Sequence, residues 1–295
     1  GNIGEPLLPK VFEMNSDDIS VVELSSFQLM TMKCSPDIAV ITNVTPNHLN
    51  WHTDMNEYIE AKKNICRYSP CKHLTVNREN DITVSIGKET EFDVTYFSSE
   101  RNCYEDTVCK GATNDVTTIF ERDGNIIFSD GEHEEIIIRA SQIKLPGKHN
   151  LQNYMSAISA TRGLVSNETV AAVAETFGGV EHRCEFVREL HGVKYYNSSI
   201  DSSPTRTEAA LSAFCKKVIV ICGGSDKGVA FDTLANALCK YAKAVVLTGD
   251  TAEKIKSAIL DCPEYTEGLF KMIEQKNFTE AVLAASSVAT EKDIV

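Results

Sequence analysis

Glu23, His48 and Lys62 are the residue types of this chain best suited to hold a divalent cation against phosphate groups. A carboxylate and an imidazole are competent metal ligands. A lysine ammonium repels a cation, so Lys62 fits such a site better as a carbamate, an anion formed on the neutral amine. Burial favours that neutral form by lowering a lysine's pKa. Each residue alone has a plainer reading: a strand-end carboxylate paired with a lysine, a structural histidine, and a solvated helix lysine beside Lys63. The three together say more, because the elements that carry them should converge on one crevice.

Two short apolar runs, Val21–Leu24 and Ile38–Thr42, read as buried strands. The first ends in Glu23, Ser25 and Ser26, the second in Asn43, Asn47 and His48. In open α/β sheets the ligand crevice lies at the carboxyl ends of the strands. A helix over Met55–Cys66 follows, with Ile59, Lys62 and Ile65 on related turns. Residues 74–140 change character. β-Prone runs at His73–Val76, Val94–Phe97, Val116–Phe120, Ile126–Ser129 and Glu135–Arg139 alternate with turn signals such as Asp123-Gly124-Asn125, which predicts antiparallel hairpins. Gly147 and Asn150 open a helix with Leu151, Tyr154, Met155 and Ile158 at helical spacing, and a second helix covers Glu168–Phe177. Gly178-Gly179 marks a domain boundary.

Beyond it, strands at Val193–Tyr196, Val218–Cys222, Ala244–Leu247 and Leu269–Ile273 alternate with helices at Thr205–Phe214, Phe231–Tyr241, Ala252–Leu260 and Thr279–Ala289. That alternation predicts a parallel, doubly wound sheet. Asp293-Ile294-Val295 reads as a strand just begun, and both ends of the chain read as cut.

The 295 residues suit two domains, and an apolar share of 42% is enough to fill their cores. A net charge of −13 argues against a nucleic-acid partner, which would call for a basic patch. It leaves an anionic small substrate open, because bound cations and local Lys or Arg can invert the field at a site. No apolar run approaches the length of a membrane span. The ten cysteines form no C-x-x-C and no zinc spacing, and several fall in apolar periodic segments. A reducing cytoplasm is the expected compartment. Oligomeric state is not legible.

The strings GNIGEPLL, ELSSFQL, NVTPNHL, EAKKNI, LPGKHNLQN, EHRCE, NSSIDSSPTRTEAAL and GGSDKG occur in that order. Each is weak alone, but eight in order are specific. Over nearly its whole length the chain resembles the Mur ligases, the ATP-dependent amide ligases of peptidoglycan precursor synthesis. SSFQL and GNIG point to the glutamate-adding branch. The resemblance implies an α/β fold in two parts. A P-loop-type central domain, incomplete and with an antiparallel β subregion, would span 1–178. A Rossmann-like, doubly wound C-terminal domain, truncated at its end, would span 179–295.

The implied substrates are UDP-N-acetylmuramoyl-L-alanine and D-glutamate, and the implied cofactors are ATP and Mg2+. Glu23 would bind magnesium between the nucleotide phosphates, His48 a second magnesium, and Lys62 would be carbamylated. Asn2, Ser25 and Gln28 would contact the UDP-sugar, and Lys227 the carboxylate of the incoming amino acid. Asn150 and Asn153 would lie on the adenine side, Arg183 near the phosphates, and the Asn197–Thr205 loop, with Asn197 and Ser198, against ribose and phosphates.

Some residues depart from that pattern. No G-K-[ST] phosphate loop occurs: Gly87-Lys88 precedes Glu89 and Gly147-Lys148 precedes His149. Ser198 and Asn50 stand where the family usually has Asp, and Ile200 where some members have Lys. The expectation is a ligase fragment, inactive by itself. A folylpolyglutamate-synthase-like ligase and a non-catalytic nucleotide- or UDP-sugar-binding relative remain as alternatives. A dinucleotide oxidoreductase is disfavoured, because no G-x-G-x-x-G follows a strand.

Overall fold

A computed structural model describes residues 8–45, 52–99, 117–201, 204–214, 216–226 and 228–295. The chain forms two compact units, Gly1–Ala140 with Gln152–Ala171 and Ser141–Leu151 with Ala172–Val295.

The first unit is built on a six-stranded sheet in simple sequential order: β1 (Ile38–Ile41), β2 (His73–Asn77), β3 (Asp93–Ser98), β4 (Thr117–Arg122), β5 (Asn125–Ser129) and β6 (Glu134–Arg139). β1 to β4 run parallel, and β4, β5 and β6 are antiparallel neighbours. Parallel neighbours require crossovers. α2 (Met55–Arg67) joins β1 to β2, and α3 (Asp81–Lys88) joins β2 to β3. The hairpins expected across the whole region therefore hold only for β4–β6. There, Asp123 (φ 51°) and Gly124 (φ 78°) make a two-residue turn with both central φ values positive, the geometry that matches strand twist. β2 to β4 lie where the sequence places them, but pair in parallel because α3, which Asn80 caps by accepting from Thr83 N at 3.1 Å, carries the chain back between β2 and β3.

Leu74, Val76, Phe97 and Ile119 are fully buried in this sheet. Each such side chain contributes about 1.5–3 kcal/mol on burial. Against Leu74 and Val76 pack Tyr58 and Cys66 of α2 and Ile86 of α3.

Val21–Leu24 is not a strand. β1 ends the sheet, and the run finds no ladder partner among the described residues. Val21 is 96% exposed. β-Branched composition favours a pleated, half-buried surface and does not create one. The run leads instead into α1 (Ser26–Met30).

The second unit holds a parallel sheet ordered β11 (Lys271–Glu274), β10 (Ala242–Thr248), β9 (Val218–Gly223). α7 (Asp232–Tyr241) and α8 (Ala252–Leu260) pack Leu238, Ile255 and Ile259 on one face. α9 (Phe278–Val288) packs Ala281 and Ala285 on the other. The expected double winding is therefore present. β8 (Val193–Asn197) is the exception: it pairs antiparallel with β7 (Glu185–Leu190), which sequence reading missed. β7 is mostly exposed and so lacks the alternation that marks a half-buried strand. Asp293-Ile294-Val295, read as a strand, makes an isolated parallel bridge of Ile294 with Lys194. Ile219 N donates to Ile294 O (2.8 Å), and Val295 N donates to Lys194 O (2.9 Å).

α4 (Lys148–Ala160) and α5 (Asn167–Thr176) follow β6, and α6 (Pro204–Ser212) follows β8. Among the described residues no helix is long and apolar enough to cross a membrane.

Candidate functional site

The carboxyl ends of β1 to β3 carry a polar crest. Asn77 Nδ2 donates to Asn43 Oδ1 (3.4 Å), and Asn80 Nδ2 donates to Val44 O (3.1 Å). Beside them, Glu79 Oε1 accepts from Ser98 Oγ (3.1 Å), Ser99 N (2.6 Å) and Ser99 Oγ (2.8 Å). Its Oε2 accepts from Gln152 Nε2 (2.8 Å). Thr75 and Ser159 hydroxyls meet at 2.7 Å and are both buried. These bonds fix α4 to the sheet. Glu79→Ala is expected to cost about 2–3 kcal/mol in urea unfolding, because several donors lose a charged acceptor at once. Glu79→Gln should cost less but remain destabilising, since its amide turns a donor towards donors.

Lys62 lies on α2. Asp54 caps that helix by accepting from Glu57 N (2.9 Å), while Glu57 Oε2 accepts from Thr53 N (2.6 Å). Burial lowers the pKa of Lys62, and the carboxylate of Glu23 acts in the opposite direction. Glu23 and Lys62 both lie in the first unit, within electrostatic reach of each other. The Lys62 ammonium sits over the Tyr58 ring, 5.7 Å from its centroid. Tyr58 meets the edge of His52 (5.2 Å, 62°), and His52 stacks on Phe27 (5.5 Å, 8°). His52 is 3% exposed, and its Nε2 lies 2.9 Å from Ser26 Oγ. An aromatic bracket therefore links the turn after Glu23 to the helix of Lys62. Sequence reading missed His52, whose only signal was its place between His48 and Met55.

Ser25 and Gln28 have local partners. Ser25 N donates to Gln28 Oε1 (2.9 Å) and Gln28 N donates to Ser25 Oγ (3.4 Å), a capping box that starts α1. Asn2, His48, Asn50 and Lys227 lie outside the described residues.

In the second unit, Asn150 Nδ2 donates to Pro146 O (2.7 Å) at the start of α4. Arg183 is exposed, as is Asn153 in the first unit. Asn197 Nδ2 and His182 Nδ1 are 2.9 Å apart. Ser198 Oγ accepts from Cys184 N (3.2 Å) and donates to Asp201 Oδ2 (2.6 Å). Burial lowers the pKa of His149, with Asp201 opposing. It pushes the Cys184 thiol up to about 11, so Cys184 is an inert, protonated thiol at neutral pH. Among the described residues no group of three or more His, Cys, Asp or Glu side chains could hold a metal.

The Mur ligase middle domain matches residues 2–161, and the Mur ligase glutamate ligase domain matches residues 182–295. The chain belongs to the Mur ligase family. Two curated members share its full length. The UDP-N-acetylmuramoylalanine--D-glutamate ligase of Clostridium botulinum is 46% identical over 297 residues, and that of Clostridium perfringens is 44% identical over 296. In each comparison the match covers 100% of this chain and 61% of the relative. The chain therefore spans about three fifths of the length of these Mur ligases.

Solved structures share the fold at low identity. The UDP-N-acetylmuramate-alanine ligase MurC of Thermotoga maritima has a TM-score of 0.59 at 17% identity, over 92% of this chain and 57% of that one. FolC of E. coli, in complex with DHPP and ADP, has a TM-score of 0.59 at 16% identity, over 88% and 57%. Among the described residues, ELSSFQL falls on the start of α1, EAKKNI on α2, LPGKHNLQN on the start of α4, EHRCE before and into β7, and NSSID at the end of β8.

Proposed function

We propose that this chain is the middle and C-terminal part of an ATP-dependent ligase that joins D-glutamate to UDP-N-acetylmuramoyl-L-alanine. The observation that carries this reading is full-length identity of 43–46% to relatives bearing that ligase's name. Half-buried Lys62, its pKa lowered by burial and opposed by the charge of Glu23, agrees with it.

The chemistry is coherent. The substrate carboxylate attacks the γ-phosphorus of ATP, releasing ADP and leaving an acyl phosphate. The amine of D-glutamate attacks the acyl carbon, inorganic phosphate leaves, and the amine proton passes to solvent. Mg2+, held by Glu23, His48 and a carbamylated Lys62, would shield the anionic carboxylate and phosphate from each other. Lys62 suits that role because burial raises its neutral fraction. The free amine can add to CO2, forming an N–C bond and losing a proton. Glu23, whose charge is felt at Lys62, would be the second ligand. Asn150, Asn153, Arg183 and Asn197 would hold the nucleotide, and Asn2, Ser25, Gln28 and Lys227 the two substrates. The working compartment would be the cytoplasm, where these substrates are made. The domain division at Gly178-Gly179 belongs to the same reading, with closure of the parts on substrate as its use.

The 295 residues contain no G-K-[ST] loop to cradle the phosphates. The test is phosphate release with ATP, magnesium, UDP-N-acetylmuramoyl-L-alanine and D-glutamate, on this chain and on the chain extended upstream through a phosphate loop. D-Glutamate-dependent release only by the extended chain is the expected result. Release that another amino acid supports equally would favour a different ligase, and nucleotide binding without release in either form would favour a binding protein.

A further inference from the structure

His52 is buried, at 3% exposure, in surroundings that would suit a phenylalanine. Its ring stacks on Phe27 and meets the edge of Tyr58, contacts that any aromatic ring can make. Its Nδ1 is buried and has no hydrogen-bond partner among the described residues. The carboxylate oxygen Glu57 Oε2 lies 3.8 Å away, beyond hydrogen-bond reach, and already accepts from Thr53 N (2.6 Å) and Thr53 Oγ1 (3.0 Å). A buried polar atom left unpaired costs stability, and such an atom in a native fold calls for an explanation. What the imidazole has that a phenyl ring lacks is Nε2, 2.9 Å from the buried Ser26 Oγ.

That bond joins two elements. Ser26 opens α1 just after the Glu23 segment, and Tyr58 stands on α2 one turn before Lys62, whose ammonium lies over its ring. The far end of α1 is pinned separately, where Asn64 Nδ2 of α2 donates to Leu29 O (2.9 Å). His52 thus fixes the end of α1 nearer Glu23, and Asn64 the end farther from it. Two pins set the register of α1 on α2, whereas one would let the start of α1 pivot.

We propose that His52 is a positioning residue of the ligase reaction, its bond to Ser26 holding the Glu23 segment in register with the helix of Lys62. That role rests on the ligase reading above and deepens it. His52 acts through Ser26 on one side and Tyr58 on the other. Ring contacts tolerate sliding, but a hydrogen bond is directional. Displacing a reacting constellation by about 1 Å can cost ~10²-fold in rate. Losing a residue that orients metal ligands typically costs about 10–100-fold in metal affinity or activity.

The variants are His52→Phe, His52→Gln, Ser26→Ala and the double variant Ser26→Ala/His52→Phe. Each is compared with wild type in urea unfolding of this chain, and in phosphate release by the chain extended through its phosphate loop, with magnesium and D-glutamate varied in turn. His52→Phe should be at least as stable as wild type, because it removes the unpaired nitrogen. Its kcat should nevertheless fall about tenfold, and the magnesium needed for half-maximal rate should rise about tenfold, with KM for D-glutamate unchanged. Ser26→Ala should shift the same two constants, and the double variant should be no worse than His52→Phe, since both changes remove one bond. His52→Gln, whose amide can reach Ser26, should recover part of the loss. A purely structural role predicts lower stability and a rate that falls only with the folded fraction, the constants unchanged, and that result overturns the proposal. So does a His52→Phe chain with wild-type kcat and magnesium constant. If His52→Phe fails to fold, Ser26→Ala decides, and wild-type constants there overturn the proposal. An extended wild type without D-glutamate-dependent release would overturn the ligase reading and the positioning role together. An active wild type with an indifferent His52→Phe would overturn the positioning role alone.

Discussion

Gly223→Ala is expected to destabilise the second unit by about 4 kcal/mol or more, enough to leave it largely unfolded. Gly223 ends β9 with φ +136°, a conformation that L side chains rarely adopt. A Cβ there would lie 1.6 Å from Thr248 O and 2.8 Å from Thr248 C. Those are backbone atoms of β10, the strand to which β9 is bonded, so no side-chain rotation relieves the clash. The neighbouring loop is equally tight. Gly249 (φ +77°) would place a Cβ 2.7 Å from Gly224 N, and Thr251 N donates to Gly224 O at 3.1 Å. Gly228 supplies the control: its φ is +69° but nothing lies within 4 Å of an added Cβ. Gly228→Ala should therefore cost only about 1–2 kcal/mol of backbone strain. Denaturant unfolding of the two variants checks both numbers. A Gly223→Ala chain as stable as Gly228→Ala would show that the close approach of β9 and β10 is misjudged.

Lys62→Met is expected to pull stability and activity in opposite directions. Burial holds the folded-state pKa of Lys62 below its ordinary value, only partly offset by Glu23. A group whose folded pKa is lowered binds its proton less readily in the folded chain. At neutral pH, where lysine is charged in both states, the folded state therefore carries a desolvation cost. That cost is largest below the folded pKa and vanishes as pH rises from there to the unfolded value. Methionine keeps the apolar stem and removes the charge. It should raise stability by about 0.5–1 kcal/mol at pH 7, trimmed because Lys62 is only half-buried, and the gain should shrink in alkaline buffer. The same substitution removes the amine that would become a carbamate. In the chain extended through its phosphate loop, D-glutamate-dependent phosphate release should fall by roughly 10²-fold or more, the usual scale for losing an electrostatic stabiliser. A Lys62→Met protein that is both less stable and fully active would place Lys62 outside the site.

How far the sequence carried this reading differs from element to element. The alternation from β9 to α9 was legible because each helix shows an apolar face and each strand a continuous apolar run, both local patterns. The β4–β5 hairpin was legible because Asp123-Gly124 accepts positive φ at both turn positions. α3 went unassigned because its β-branched composition, DITVSIGK, does not favour a helix, and Asn80 capping it is visible only in the structure. Val21–Leu24 was misread for the opposite reason: its residues suit a strand, but a strand also needs a neighbour. The bracket from Ser26 through His52 to Tyr58 and Lys62 was not legible, since it depends on His52, ahead of α2, meeting Ser26 and Phe27 of α1 and Tyr58 of α2. Nor was the cluster of Glu79 with Gln152, which lie 73 positions apart.

Residue types and their order by themselves determined the family, the two-part α/β architecture and the candidates for metal, nucleotide and substrate contacts, because these follow from local periodicity and from short motifs. Only the tertiary structure decided which candidates are free to act. It drew Lys62 partly out of water, committed Ser25 and Gln28 to a helix cap, and spent the hydroxyl of Ser198 on Asp201. Burial and hydrogen-bond partnership are set by which distant segments meet, and no local pattern encodes that meeting.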